Sequence, residues 1–277
     1  MRAVGPADRN VEVVALDVTI ELGAASHIGK VRRLNEDAYL ARRHLALVAD
    51  GMGGHACGDV ASAHAVEALA AIAERDRLRP EDVQEAIGQA NEAILADSRE
   101  PGRGGMGTTL SGIALVDFGG SPHWLVFNIG DSRVYRIAGG AAVQLTVDHS
   151  EVAELVALGR LRAEEASSHP LRHVITRSLG TDPAPAPDVW IFPTDPDGDV
   201  FVACSDGLTN ELDDARIAAI VEAARGPRDA ATMLVDAAVE AGGRDNVTAV
   251  VVHTPPAAED DLDVATTPKQ PDPRAER

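Results

Sequence analysis

Apolar positions along the chain fall into short blocks whose period switches between two residues and roughly 3.6 residues, the spacings of strands and helices. VEVVALDVTI at 11–20 is β-branched and reads as a strand, and 27–37 reads as a polar connection. LALVA at 45–49 is a continuous apolar run of strand length, and it stops at Asp50 and the glycine-rich GMGGHACG. Helical periodicity follows over 60–75. A second helix starts at Pro80, a residue suited to a first turn, and runs to about 98. PGRGG at 101–105 breaks the pattern. Strands are predicted over 108–118, 123–129 and 133–138, with Gly139-Gly140 turning the chain into 141–145. Residues 148–180 become polar and helical, an insertion outside the core. Strands resume at 189–192 and 199–204, helices at 215–224 and 227–241, and a last strand at 247–253. Strand runs mixed with helix pairs, without regular βαβ alternation, predict an α+β fold with mainly antiparallel sheets.

Composition narrows the function classes. With 45% apolar residues the chain can bury a real core, yet aromatics are only 3%, so Ala, Val, Leu and Ile must fill it and base-stacking platforms are excluded. The formal net charge of −19 repels nucleic acid and anionic lipid. Cys57 and Cys204 show neither zinc nor redox spacing and read as small apolar residues. No apolar run is long enough to span a membrane, and Glu12 and Asp17 interrupt any signal-peptide core, so the expected location is cytoplasmic. The expected organisation is an extension at 1–10, one domain over 11–255, and a disordered Pro- and acid-rich tail at 256–277.

The acids carry the chemistry. Asp50 and Asp206 directly follow apolar strands, Asp245 sits in GGRDN before the last strand, and Glu36-Asp37 precedes the strand at Tyr39. Acids at strand ends beside glycines converge easily at one edge of a sheet. Several carboxylates brought together stay ionised only with a cation, and hard oxygen donors select Mg²⁺, Mn²⁺ or Ca²⁺ over zinc. Taken singly, each acid fits equally well as a solvated turn residue or a helix cap.

The combination resembles a known family. NEDAYL (35–40), LVADGMGGHACGDVAS (47–62), GMGTTLSG (105–112), NIGDSRVYRI (128–137), HPLRHVITRSLG (169–180), ACSDGLTN (203–210) and RDNVTAVVV (244–252) are similar, in family order, to the bacterial PPM (PP2C-like) protein serine/threonine phosphatases. The resemblance spans about residues 20–254. It implies a central antiparallel β-sandwich flanked by helix pairs, with the site at one end and a flap at 148–180. It implies two core Mn²⁺ or Mg²⁺ ions bridged by Asp50. Asp206 and Asp245 complete the first ion, and the Gly51 carbonyl and Glu36 serve the second. Asp37 orients water, and Asp131 shares a third, weaker ion with Asp206. Arg32, with Arg33 as its rival, matches the phosphate-gripping arginine, whose fork can take two oxygens.

The implied reaction is hydrolysis of phosphoserine and phosphothreonine by in-line attack of a water whose pKa the cation pair lowers, without a covalent intermediate. Met52 stands where eukaryotic members often carry a histidine, and it donates no proton. His55 is read as structural rather than as a general acid. His149, His169 and His173 are likewise read as structural. The implied partners are phosphorylated proteins and an opposing serine/threonine kinase, met by a monomer. Three other readings compete. Gly51-Met-Gly-Gly-His-Ala56 formally fits a dinucleotide fingerprint, but Asp50 would sit beside the pyrophosphate and a second helix follows where a parallel strand is needed. A non-catalytic phosphoprotein-binding module would be expected to lack the metal acids. A small-molecule phosphatase would share the chemistry, and substrate profiling separates it.

Overall fold

The computed structural model describes residues 11–53, 57–166 and 168–256. The expected extension at 1–10, nearly all of the expected tail, and His55 lie outside the described residues. The first expected strand is two strands. β1 (Val11–Ala15) and β2 (Val18–His27) form a hairpin, with Leu16 and Asp17 in the left-handed region at φ 50 and 64. Glycine or asparagine usually flags such a turn; neither is present, so the run read as continuous.

β3 (Asp37–Arg42) and β4 (Leu45–Met52) form the next hairpin, followed by α1 (Gly58–Ile72) and α2 (Pro80–Ser98). The run predicted over 108–118 is broken at Thr109 into β5 (Gly107–Thr108) and β6 (Leu110–Phe118). Then come β7 (Ser121–Ile129), β8 (Arg133–Ala138) and β9 (Ala141–Gln144). The inserted segment holds α3 (Glu151–Ala157) and α4 (Ala163–Ala166). β10 (Asp188–Pro193), β11 (Asp199–Cys204), the single turn α5 (Asp206–Thr209), α6 (Asp214–Ala223), α7 (Pro227–Ala241) and β12 (Val247–Thr254) complete the order.

Two antiparallel sheets result, β1-β2-β12-β11-β8-β9 and β10-β7-β6-β4-β3, with β5 paired to the end of β4. Strand alternation builds the layers. On β4, Leu45, Leu47 and Ala49 pack with α1 and α2, while Ala46 and Val48 face the other sheet. On β12, Val247, Ala249 and Val251 pack with α6 and α7, while Val250 and Val252 face inward. Trp124 and Phe201 meet edge to face between the sheets. Each fully buried Leu, Val or Phe contributes about 1.5–3 kcal/mol, so three contiguous apolar layers hold the fold with few aromatics. This is the helix-flanked antiparallel sandwich the sequence led us to expect.

The inserted segment is not wholly outside the core. Leu179 is completely buried, bridges to Thr108, and is followed by Gly180, whose amide donates to Asn91 Oδ1 at 2.7 Å. A leucine set between polar Arg177-Ser178 and Gly180 gave little sign of this. Among the described residues no helix is long and apolar enough to cross a membrane.

Candidate active site

Five connections meet at one end of the intersheet layer. They present Arg32, Glu36, Asp50, Gly51, Asp131, Asp206 and Asp245 to one cleft of about 790 Å³. The periodicity of β4 explains Asp50: it continues the inward-facing positions of Ala46 and Val48 to the point where the layer opens. Its amide donates to Thr109 Oγ1 at 2.9 Å, and its carbonyl accepts from Thr109 N and Thr108 Oγ1. The break at Thr109 makes that grip possible.

Asp37 lies beneath the cleft, 5% exposed and directly across the hairpin from Asp50. Its Oδ2 accepts from Ser205 Oγ at 2.8 Å and Thr248 Oγ1 at 2.6 Å, while its Oδ1 has no partner. Asp206 accepts from Asn210 Nδ2 at 3.0 Å. Asp245 accepts from the Asn246 amide through Oδ1, and its Oδ2 pairs with Arg32 Nη2 at 2.6 Å. Of the two neighbouring arginines in the cleft, it is Arg32 that holds an acid of the cluster.

Several supporting residues carried no sequence signal strong enough to single them out. Asn246 clamps the 28–36 loop: its Nδ2 donates to the Ile28 and Leu34 carbonyls at 3.0 Å each, and its Oδ1 accepts from the Glu36 amide at 2.8 Å. Ser62 on α1 donates to the Glu36 carbonyl at 2.6 Å. Gly51 packs so closely against Gly58 that a Cβ at position 51 would collide with the Gly58 carbonyl. A polar residue beside an acid in RDN was the one available hint of Asn246. His169 accepts from the Leu171 amide, His173 lines the cleft, and His149 is buried at the root of the inserted segment.

The cluster is electrostatically strained. Burial first, then Asp37, Asp206, Asp131 and Asp245, holds the Asp50 carboxyl well above the usual range. Burial pushes Asp37 up to about 7 against the pull of Thr248 and Ser205, with Asp206 and Asp245 adding to the rise. Burial, Asp206 and Asp148 push Asp131 up to about 7. Asp206 is raised by burial and Asp245. Carboxylates crowded in this way stay ionised together only beside positive charge. The donor set is all oxygen, and Asp37 Oδ1 and Asp131 Oδ1 are buried without partners, so the residues fit hard divalent cations. No three described Asp, Glu, His or Cys side chains are already closed into a cage; they share a cleft, with Asp245 turned onto Arg32.

Comparison with known proteins identifies the family. The protein phosphatase 2C model matches residues 25–237, a span that ends just before Asp245. The chain is 34% identical over 237 residues to serine/threonine phosphatase Stp of Listeria innocua, covering 81% of this chain and 92% of Stp. It is 40% identical over 241 residues to serine/threonine protein phosphatase PstP of Mycobacterium tuberculosis, covering 84% of this chain but 45% of that longer protein. The catalytic domain of PstP, solved with two manganese ions, superposes with a TM-score of 0.77 at 35% identity over 85% of this chain and 98% of that one. The chain therefore belongs to the protein phosphatase 2C family of serine/threonine protein phosphatases.

Proposed function

We propose that this chain hydrolyses phosphoserine and phosphothreonine esters of proteins with the help of divalent cations, Mg²⁺ or Mn²⁺, held by its buried aspartates. The observation that carries the proposal is the convergence of Asp50, Asp131, Asp206 and Asp245, from four distant parts of the sequence, on one cleft beside Arg32. Asp50 would bridge two ions. Asp206 and Asp245 would complete the first, the Gly51 carbonyl and Glu36 would hold the second, and Asp131 with Asp206 would serve a third. When bound, the cations supply positive charge against the phosphate and lower the pKa of a water.

The rest belongs to the chain's own residues. Thr108 and Thr109 hold the backbone of Asp50, which sets where its carboxylate enters the cleft. Ser205 and Thr248 occupy one oxygen of Asp37, which leaves the other to orient a water. Arg32 rests on Asp245 and reaches the same cleft, where its fork can grip phosphate oxygens. Met52 lines the cleft and cannot protonate a leaving group.

The names of Stp and PstP, and the manganese ions in the PstP domain, support this proposal. It extends to a monomer whose residues 11–255 form the phosphatase domain, acting in the cytoplasm against a serine/threonine kinase. The deciding experiment is Mn²⁺-titrated hydrolysis of p-nitrophenyl phosphate by wild type and Asp206→Asn. Turnover should require the metal and vanish with EDTA, and the variant should lose at least ~10²-fold. Equal rates would refute the assignment. Preference for phosphopeptides over phosphorylated metabolites separates the protein phosphatase from a small-molecule one.

A further inference from the structure

Behind Asp131 lies a group of buried polar side chains for which the chemistry above has no use. His149 is 7% exposed, and both of its ring nitrogens are engaged. Nδ1 accepts the Gly130 amide at 3.0 Å, and Nε2 lies 3.1 Å from Asp188 Oδ2. A ring nitrogen that accepts from an amide carries no proton, so Nε2 holds the proton and donates it to Asp188. Asp188, the first residue of β10, is held in turn by Arg177 Nη1 at 2.6 Å. The backbone adds two links: His149 N donates to the Gly130 carbonyl and Thr176 N to the His149 carbonyl, each at 2.9 Å. One residue thus ties the Gly130–Asp131 turn to the entry and the exit of the inserted segment.

The same turn is gripped from the other side. Asn128 Nδ2 donates to the Gly130 carbonyl at 3.1 Å and the Val147 carbonyl at 2.9 Å, and its Oδ1 accepts from Ser111. Ser111 also reaches the Ser132 carbonyl, and Ser132 Oγ lies 2.8 Å from Thr109 Oγ1, the atom that holds the Asp50 amide. Gly130 itself has φ +105, a shape that needs holding. A buried network of this kind is costly unless fully satisfied, and when satisfied it fixes geometry. At its end stands Asp131, with Oδ1 unpartnered.

We propose that His149 is the positioning residue for Asp131. Asp188 sets its tautomer, its Nδ1 sets the Gly130 turn, and together they couple the seating of the 148–180 segment to the place where Asp131 meets a weakly held cation. This rests on the reading of Asp131 as a metal ligand, and the test separates the two. Mn²⁺ is titrated calorimetrically into the metal-stripped full chain. Asp131→Asn should remove the weakest class of ions. His149→Ala, which removes the Nδ1 acceptor, should weaken that class by about tenfold or more, the scale for removing a partner that orients a ligand, and leave the tight class within about twofold.

His149→Asn can place an amide oxygen where Nδ1 stood without reaching Asp188, so it should restore most of the loss. Asp188→Ala should shift the weak class in the same direction by less. Hydrogen exchange of the Gly130 amide in EDTA should speed up in His149→Ala and not in His149→Asn. If His149→Ala fails to fold, Asp188→Ala decides, and an unchanged weak class in it would overturn the proposal. Uniform weakening of both classes, an unchanged weak class in His149→Ala, or identical behaviour of the Ala and Asn variants would overturn the proposal alone. An unchanged weak class in Asp131→Asn would overturn the ligand assignment with it.

Discussion

The space between the two sheets ends in buried acids at both ends, and the two ends treat them in opposite ways. At the far end, the Asp199 side chain has no exposure and is balanced by a cation of the fold. Its Oδ2 accepts from Trp124 Nε1 at 2.8 Å and from the Asp195 amide at 2.9 Å, and its Oδ1 lies 2.8 Å from Arg136 Nη2, an ion pair without hydrogen-bond alignment. At the site end, Asp37, Asp50, Asp131 and Asp206 face one another, and burial with mutual repulsion raises all four. Burial alone therefore does not mark a functional carboxylate. What differs is whether the fold supplies the compensating charge itself.

Exchanging one acid at each end should give opposite phenotypes. Asp50→Asn is expected to lower turnover by at least ~10²-fold. It should also raise the melting temperature of the metal-free protein, because one repelling charge is gone. Asp199→Asn should leave turnover near wild type and cost about 1–3 kcal/mol, read from the urea midpoint, as Arg136 and Trp124 lose a charged acceptor. An Asp50→Asn protein less stable without metal than wild type would break the contrast. Next in size is Arg32→Gln, expected to lower kcat/KM by roughly 10–100-fold, the worth of a charge-assisted hydrogen bond; Arg33→Gln should stay within about twofold. Matching losses in both would mean that the cleft needs positive charge and not a particular arginine.

The last contrast is read as a slope. The folded pKa of Asp37, about 7, lies above its unfolded value of about 4. Between those values the folded chain binds more protons than the unfolded one, so metal-free stability falls as pH rises from about 4 to about 7 and then levels off. Asp37→Asn should flatten this decline by on the order of 1 kcal/mol per pH unit, measured by urea unfolding in EDTA. Parallel slopes for the two proteins would remove Asp37 from the repelling cluster.

Much of the fold was legible because its elements are long and periodic: α2 starts at Pro80, and β4 and β12 each carry an apolar run. The features that escaped are those set by partners far away in sequence. The Leu16-Asp17 turn uses side chains that seldom adopt it, α5 is a single turn, and Leu179 is core by virtue of Thr108. The acids of the cleft stood out because each follows a strand or fills a glycine-flanked turn. Asn246 and Thr109 did not, since a polar residue near a strand end looks solvated until the loop or strand it grips is in place, and Ser62 reads as an ordinary helix residue; His149, read as structural, gave no sign of its partners.

β12 lies between β2 and β11, at the middle of its sheet, and follows directly on Asp245 and Asn246. A polypeptide leaving the ribosome therefore carries most of its strands before the one that seams them together. Until that strand emerges, β2 has only β1 beside it in the sheet, and the 28–36 loop lacks its clamp. A chain broken before Asp245 would therefore lose a site acid, the clamp on the 28–36 loop and the seam of the sheet together, and is expected to show no turnover rather than reduced turnover.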